Sequence, residues 1–131
     1  MFEEGASLLS DKRTDRWVNA STWSDDAIQR EVFFFGSAGD SLFGSLFCAR
    51  QPRHRIGLIV CYSWGPEAEG LQPIYQGLSE GMARRGGASL EFHPPGHGDS
   101  GGRPDEVTMR RLVDAAVDAR REAGRRVKGV E

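Results

Sequence analysis

The chain has 131 residues, 38% of them hydrophobic, and its 17 Lys and Arg against 19 Asp and Glu give a formal net charge of −2. This length predicts one domain with a modest core, and the balanced charge argues against a nucleic-acid-binding surface. No run approaches the roughly 20 apolar residues that cross a bilayer, so we expect a cytoplasmic protein without a membrane span.

The amino-terminal residues form a polar lead segment. Residues 1–30 are polar and contain two tryptophans, Trp17 and Trp23, and we expect this segment to be flexible or loosely packed. The two tryptophans are candidate anchors for a partner or for another part of the fold. The folded domain is therefore predicted over residues 31–131.

An antiparallel hairpin is predicted at the start of this domain. Its strands are Glu31–Gly36, which contains three consecutive phenylalanines, and Leu42–Cys48. Phenylalanine favours a half-buried sheet surface, and Gly39 with Asp40 supplies residues that tolerate a tight turn. The sheet should therefore begin with two antiparallel strands.

A strand and a helix follow the hairpin. Ile56–Cys61 is a short apolar run typical of a strand covered on both faces of a parallel sheet, so we expect it to be central. The helix after it should bury one stripe, formed by Leu71, Ile74, Tyr75, Leu78 and Met82. Pro73 should lie in its first turn, and Gly86 and Gly87 should end it.

A second strand and a second helix repeat this pattern. Residues 88–93 alternate between apolar and polar and run into a loop rich in Pro and Gly. The next helix should have Asp105 as its N-cap and continue to Gly124, with a buried stripe formed by Met109, Leu112, Val113, Ala116 and Val117. Residues 126–131 are typical of the start of a further strand. The predicted class is α/β, an antiparallel hairpin followed by parallel β-α-β-α-β units.

The loop after the second of these strands contains Gly98–Gly102, the pentapeptide that surrounds the nucleophile of chymotrypsin-like proteases. That family needs paired β-barrels, whereas this pentapeptide joins a strand to a helix. Ser100, His97 and Asp99 are also too close in sequence for one imidazole to contact both the serine and the acid. We expect Ser100 to hydrogen-bond its own loop and Asp99 to support the turn.

The hairpin motifs Phe34-Phe35-Gly36 and Leu42-Phe43-Gly44, the apolar strand from Ile56 and the segment Phe92–Gly101 occur in that order. Together they resemble the amino-terminal part of the α/β-hydrolase superfamily. They are similar in particular to its serine-aminopeptidase-like branch and to the hydrolases associated with exosortase systems. The resemblance covers roughly residues 31–131, and it implies a partial α/β-hydrolase sheet and serine hydrolase chemistry on ester or amide bonds.

In this superfamily the loop after the third strand contributes a backbone N–H to the oxyanion hole. By the resemblance, Trp64 is the candidate donor in this chain, although Tyr62 and Ser63 replace the usual residues before it. Such a donor contributes on the order of 3 to 4 kcal/mol of transition-state stabilisation. The alternative is that these residues are merely a connecting turn.

The sequence departs from the superfamily in its catalytic residues. The string Gly-x-Ser-x-Gly occurs at Gly77–Gly81, inside the predicted helix, and at Gly98–Gly102, in the exit loop, but not as an elbow after a fifth strand. We therefore assign no nucleophile, acid or base and expect this chain alone to be inactive, as a truncated hydrolase-like protein. One alternative is a non-catalytic interaction module whose exposed sheet edge pairs with a partner chain or with itself. Another is a phosphate binder built on Gly96–Gly102, which lacks the Lys-Ser/Thr ending of a P-loop.

The two cysteines, Cys48 and Cys61, fall in separate predicted strands and lack the spacing of metal ligands. We expect both to be reduced, buried thiols. The sequence predicts no metal site and no cofactor.

Overall fold

The computed structural model describes residues 23–36, 41–65 and 67–127. Its five strands are β1 Trp23–Ser24, β2 Ile28–Phe35, β3 Leu42–Ala49, β4 Gly57–Cys61 and β5 Ala88–Phe92. Helix α1, Glu67–Arg84, connects β4 to β5, and helix α2, Met109–Arg126, follows β5 after a short 3-10 helix, Pro104–Glu106.

The strands form one sheet in the order β1-β2-β3-β5-β4. Strands β1, β2, β3 and β5 pair antiparallel in that sequence, and β5 pairs parallel with β4. The predicted hairpin and the predicted parallel crossover are therefore confirmed, although the hairpin residues Gly39 and Asp40 lie outside the described residues. Strand β5 lies between β3 and β4, and all five of its residues are buried.

The prediction that the Ile56–Cys61 run is central is wrong for the described sheet. Strand β4 pairs with β5 alone, so it lies at one edge, and both Gly57 and Cys61 are exposed. An apolar run indicates that both faces of a strand pack against other groups, but it does not indicate how many strands pair with it in the sheet.

The opposite edge begins earlier in the chain than predicted. Strand β2 starts at Ile28, which is fully buried, and β1 pairs with it, so residues 23–30 belong to the sheet although the sequence assigned them to the lead segment. The Asp25 carboxylate accepts the N–H groups of Ala27 and Ile28 at 2.8 Å each, which fixes the turn between the two strands. Residues 1–22 lie outside the described residues.

The two helices cover opposite faces of the sheet. On α1, Ser79 hydrogen-bonds Ser89 at 2.9 Å between hydroxyl oxygens. On the other face, α2 packs three alanines against β-strand side chains, and the cluster contains Phe33, Phe35, Leu46, Leu90, Phe92, Ala115, Ala119 and Ala123. Because Ser89 and Leu90 are neighbours on one strand, they point to opposite faces. The sheet is therefore the middle layer of three.

The two predicted helical stripes are confirmed only in part. Leu71, Tyr75 and Met82 of α1 and Leu112 and Ala116 of α2 are half-buried, and Ala116 packs against the core. Ile74 and Leu78 of α1 are 58% and 53% exposed, and Met109, Val113 and Val117 of α2 are exposed as well. Small side chains face the sheet instead, because Ser79 and Ala83 of α1 and the alanines of α2 allow close approach.

Helix α1 begins at Glu67, earlier than its apolar stripe suggests. Pro73 therefore lies inside the helix and not in its first turn, which corrects the prediction. The predicted stop is confirmed: Gly86 has φ +98° and donates its N–H to the Ala83 carbonyl, and Gly87 donates to Met82.

Helix α2 is capped by Thr108, whose hydroxyl accepts the Arg111 N–H at 3.2 Å. The predicted N-cap, Asp105, lies instead in the 3-10 helix upstream. The helix continues to Arg126, so a strand does not start there, and residues 128–131 lie outside the described residues.

Both cysteines are free thiols, as predicted. Burial raises the pKa of Cys48 to about 12. Cys61 is exposed, which corrects the prediction of burial, because it ends the edge strand β4.

Candidate functional site

Two loops meet where β4 and β5 end. The β4 loop covers residues 62–65 and the β5 loop covers residues 93–102. Between them lies a cavity of about 240 Å³, lined by Tyr62, Ser63, Gly65, Ala68, Glu69, Gln72, His93, Pro94, His97 and Gly98. Ligand sites in open α/β sheets lie outside the carboxyl ends of the parallel strands, so this cavity is the candidate site.

Tyr62 fixes the start of the β4 loop. Its N–H donates to the Phe92 carbonyl at 3.0 Å, and its hydroxyl donates to Oε2 of Glu91 at 2.9 Å. Its ring packs between those of Tyr75 and His93, with centroids 4.8 and 4.9 Å away. Tyr62 therefore holds the loop to β5, to α1 and to the β5 loop at once.

Glu91 supports this arrangement from inside the sheet. Glu91 is only 2% exposed, and its Oε1 atom has no hydrogen-bond partner in the described part of the chain. Burial raises the pKa of Glu91, while the hydrogen bonds from Ser79 and Tyr62 oppose the rise. Burial, and then the adjacent Glu91 charge, raises the pKa of the Tyr62 phenol. Both the Glu91 carboxyl and the Tyr62 phenol therefore hold their protons more tightly than the same groups do in water.

Trp64 lies in the β4 loop as the resemblance implied. Its side chain is half-exposed, and its ring lies 5.7 Å from that of His97 in the β5 loop. Gly65 follows with φ +87°, a conformation that favours glycine. The role of the Trp64 N–H as an oxyanion donor stays a prediction.

His93 is packed into the β5 loop. Its Nδ1 accepts the Asp99 N–H at 2.9 Å, so the neutral ring carries its proton on Nε2. Burial lowers the pKa of His93, and the Asp99 carboxylate, 3.8 Å from Nδ1, opposes that shift. Gly98, with φ +54°, is required here because a Cβ on it would lie 2.3 Å from that nitrogen.

His97 has the opposite tautomer. Its Nδ1 lies 2.9 Å from the Pro95 carbonyl oxygen, and since a carbonyl only accepts, Nδ1 carries the proton and Nε2 keeps its lone pair. His97 is therefore an oriented proton acceptor that lines the cavity. A role for His97 outside a protease triad was not predicted. The sequence signal that could have identified it is the position of the histidine directly after the Pro94-Pro95-Gly96 turn, whose Pro95 carbonyl orients the ring.

Ser100 is a structural residue. Its hydroxyl donates to the His93 carbonyl at 2.7 Å and accepts the Phe43 N–H at 2.9 Å. These bonds confirm the prediction that Ser100 bonds its own loop, and they add an unpredicted tie to β3. The first of these bonds uses the only proton of the hydroxyl, which is therefore not donated to an imidazole, so the described residues hold no protease-like triad at the pentapeptide.

The described residues contain no cluster of three or more His, Cys, Asp or Glu that could hold a metal ion. Among the same residues, neither helix has the length and apolar character that a bilayer-spanning segment requires.

No protein-family model and no curated protein matches the chain. Solved structures do match it. A hypothetical protein from Pseudomonas aeruginosa matches 82% of the chain with a TM-score of 0.62 and 20% identity. Est1E from Butyrivibrio proteoclasticus, solved with ferulic acid bound, matches 76% with a TM-score of 0.56 and 18% identity. An acetyl xylan esterase from Paenibacillus sp. R4 matches at a TM-score of 0.46 and 13% identity, over 81% of this chain and 40% of its own.

The first two matches show the fold of this chain. The described sheet and helices are part of an α/β-hydrolase fold. The chain spans 33% of the Pseudomonas protein and 39% of Est1E. It therefore corresponds to about a third of those chains.

Proposed function

We propose that this chain is hydrolase-like and contributes one wall of a serine hydrolase site for an ester or amide substrate. The observation that carries the proposal is the cavity between the β4 and β5 loops, at the carboxyl ends of parallel strands in a partial α/β-hydrolase sheet. Loops at this edge hold ligands in α/β folds. The hairpin and exit-loop motifs favour the serine-aminopeptidase-like or exosortase-associated branch.

In this proposal Trp64 donates its backbone N–H to the oxyanion that forms when the substrate carbonyl is attacked. Tyr62, held by Glu91 and the Phe92 carbonyl, positions the loop that carries Trp64. The attacking hydroxyl must come from other residues, because neither Gly-x-Ser-x-Gly string forms a strand-to-helix elbow. Ser79 is buried within α1, and Ser100 donates its hydroxyl proton to the His93 carbonyl. We therefore expect this chain alone to bind weakly and to turn over nothing.

A fluorophosphonate probe and a chromogenic short-chain ester test the proposal. We expect no covalent labelling of the chain by the probe. We also expect the same rate of ester hydrolysis for the chain and for a His97→Ala variant, which controls for hydrolysis by the His97 imidazole alone. Labelling of the chain alone would contradict our assignment of no nucleophile. A Gly-x-Ser-x-Gly sequence encoded downstream of Glu131 in the genomic DNA would support completion by further polypeptide.

A second candidate is a non-catalytic interaction module. It is favoured by a different observation, the exposed apolar side chains of α1 and α2. This function predicts binding of a polypeptide without turnover, and the absence of a downstream nucleophile elbow would favour it.

A further inference from the structure

The cavity between the β4 and β5 loops is lined by side chains whose hydrogen-bonding roles are set by the loops themselves. Among the described residues, the polar ones that line it are Tyr62, Ser63, Glu69, Gln72, His93 and His97. The Tyr62 hydroxyl already donates its proton to Glu91. The hydroxyl of Ser63 and the two imidazoles keep unused atoms, and these atoms decide which ligand the cavity fits.

Ser63 carries a buried polar atom without a partner. Its Oγ is shielded from solvent and has no hydrogen-bond partner in the described part of the chain. Such a group destabilises the folded state, because its hydrogen bonds to water are lost and not replaced. A hydroxyl in this position is therefore available to donate its proton to a ligand oxygen that enters the cavity.

His93 offers a donor. Its Nδ1 accepts the Asp99 N–H at 2.9 Å, which leaves the proton of the neutral ring on Nε2. Burial lowers the pKa of His93, so the ring is neutral at neutral pH and has that single proton. The unused nitrogen of His93 can therefore donate a hydrogen bond but cannot accept one.

His97 offers an acceptor. Its Nδ1 lies 2.9 Å from the Pro95 carbonyl oxygen and donates to it, so the lone pair of the neutral ring is on Nε2. No described residue donates a hydrogen bond to this nitrogen. The cavity thus contains donors on Ser63 and His93 and an acceptor on His97, each with a role that the fold determines.

This combination matches an amide better than an ester. A secondary amide has a carbonyl oxygen that accepts and an N–H that donates, whereas an ester has two oxygens that only accept. The carbonyl oxygen can pair with Ser63 or His93 in both cases, but only the amide has a proton for His97. A site built to bind an N–H discriminates against the analogue that lacks it, because the acceptor is then left unpaired.

We propose that the cavity selects a secondary amide over the corresponding ester, and that His97 is the specificity-determining residue. This inference rests on the proposed hydrolase-like function, which leaves the substrate as an ester or an amide. The volume of about 240 Å³ is below the roughly 300 to 1,000 Å³ of pockets that hold drug-sized ligands. The cavity therefore holds one amide group with short substituents.

Charged ligands fit the same groups less well. The first turn of α1 already carries the carboxylates of Glu67 and Glu69, which offset the positive end of the helix and disfavour an anion. An alkylammonium ion is attracted by Glu69, but its N–H groups meet the N–H of His93, where a donor faces a donor. A neutral amide satisfies both imidazoles at once.

The test is a chemical-shift titration of the full isotope-labelled chain, at a mildly alkaline pH where imidazole is neutral. The probes are N-propylacetamide, propyl acetate and propylammonium, of which the first two differ only in N–H against O. We expect the backbone amides of the β4 and β5 loops to shift with the amide, which should bind about 10-fold more tightly than the ester.

Variants assign this selectivity to named atoms. His97→Phe keeps a ring but removes the acceptor, so the amide and the ester should bind equally, whereas His97→Gln keeps an acceptor oxygen and should restore part of the difference. Ser63→Ala should weaken the amide and the ester to the same extent without lowering the melting temperature, because it removes an unpaired hydroxyl. His54→Phe changes a histidine outside the cavity and should leave both affinities unchanged.

Circular dichroism establishes that each variant remains folded. Equal affinities of the wild-type chain for the amide and the ester, tighter binding of propylammonium than of the amide, or no shift with any probe would overturn the inference. Unchanged selectivity in folded His97→Phe would overturn it as well. Covalent labelling by the fluorophosphonate probe would instead contradict our assignment of no nucleophile, and it is measured separately from this binding preference.

Discussion

The two edges of this sheet differ in how they end. The β1 edge has a two-residue strand, and the Asp25 carboxylate beside it binds two backbone N–H groups and Arg84 of α1. The β4 edge has a five-residue apolar strand with exposed hydrophobic side chains above and below it. Short strands and charges are how proteins prevent edge pairing. Among the described residues, the β1 edge is therefore protected against pairing with a further strand, whereas the β4 edge is not.

The largest expected effect concerns packing near the β1 edge. Phe47 is almost fully buried in a cluster with Ile28 and Ala83, and the Arg30 guanidinium lies 5.3 Å from its ring. We expect Phe47→Ala to lower the free energy of unfolding by about 3 to 5 kcal/mol, measured by urea titration. A loss below about 1 kcal/mol would mean that the β1 side is not the well-packed half of the molecule.

The next prediction concerns the buried carboxyl on the β4 side. Burial raises the pKa of Glu91 above its ordinary 4.5, so the folded state binds this proton more tightly than the unfolded state. Folding stability should therefore fall as the pH rises through the window between 4.5 and the folded pKa. Glu91→Gln keeps an acceptor for Tyr62 and should remove this dependence. Parallel pH profiles for the two proteins would contradict the burial argument.

The Asp25 carboxylate should show the reverse dependence. Its hydrogen bonds to Ile28 and Ala27 lower its pKa to about 2. Its stabilising contribution is therefore present above pH 3.8 and is lost as the pH falls towards 2. Asp25→Ala should lower the melting temperature at neutral pH, while Asp25→Asn, which keeps one acceptor oxygen, should lower it less. Equal melting temperatures for the two variants would show that the backbone hydrogen bonds at this edge are unimportant.

The smallest effect is expected on the open side. Ile74 is exposed, so Ile74→Ser should change the stability of the isolated monomer by less than about 0.5 kcal/mol. A large loss of monomer stability would mean that this side chain is already buried within the chain.

The order of strands and helices was predictable from the sequence because it depends on local patterns. The alternation in residues 88–93 and the stop at Gly86 correspond to β5 and to the end of α1. The buried helical faces were not predictable from hydrophobicity. Ala115 and Ala119 face the sheet because they allow close packing, whereas the larger Val113 is left exposed.

The candidate site was predictable only in outline. Trp64 was identified through the resemblance and lies in the expected loop. The Tyr62–Glu91 hydrogen bond joins residues 29 apart in sequence, and no local pattern indicates it. The opposite tautomers of His93 and His97 depend on a backbone N–H and a backbone carbonyl that only the folded loop brings to them.

Amide hydrogen exchange at single-residue resolution, on the full chain at a concentration where light scattering gives the mass of a monomer, tests the two-edge account most directly. The account predicts slow exchange for the amides of β2, β3 and β5, and fast exchange for the alternate amides of β4 that point away from β5. Slow exchange of all β4 amides in the monomer would contradict the account, because the edge would then be covered by this chain itself.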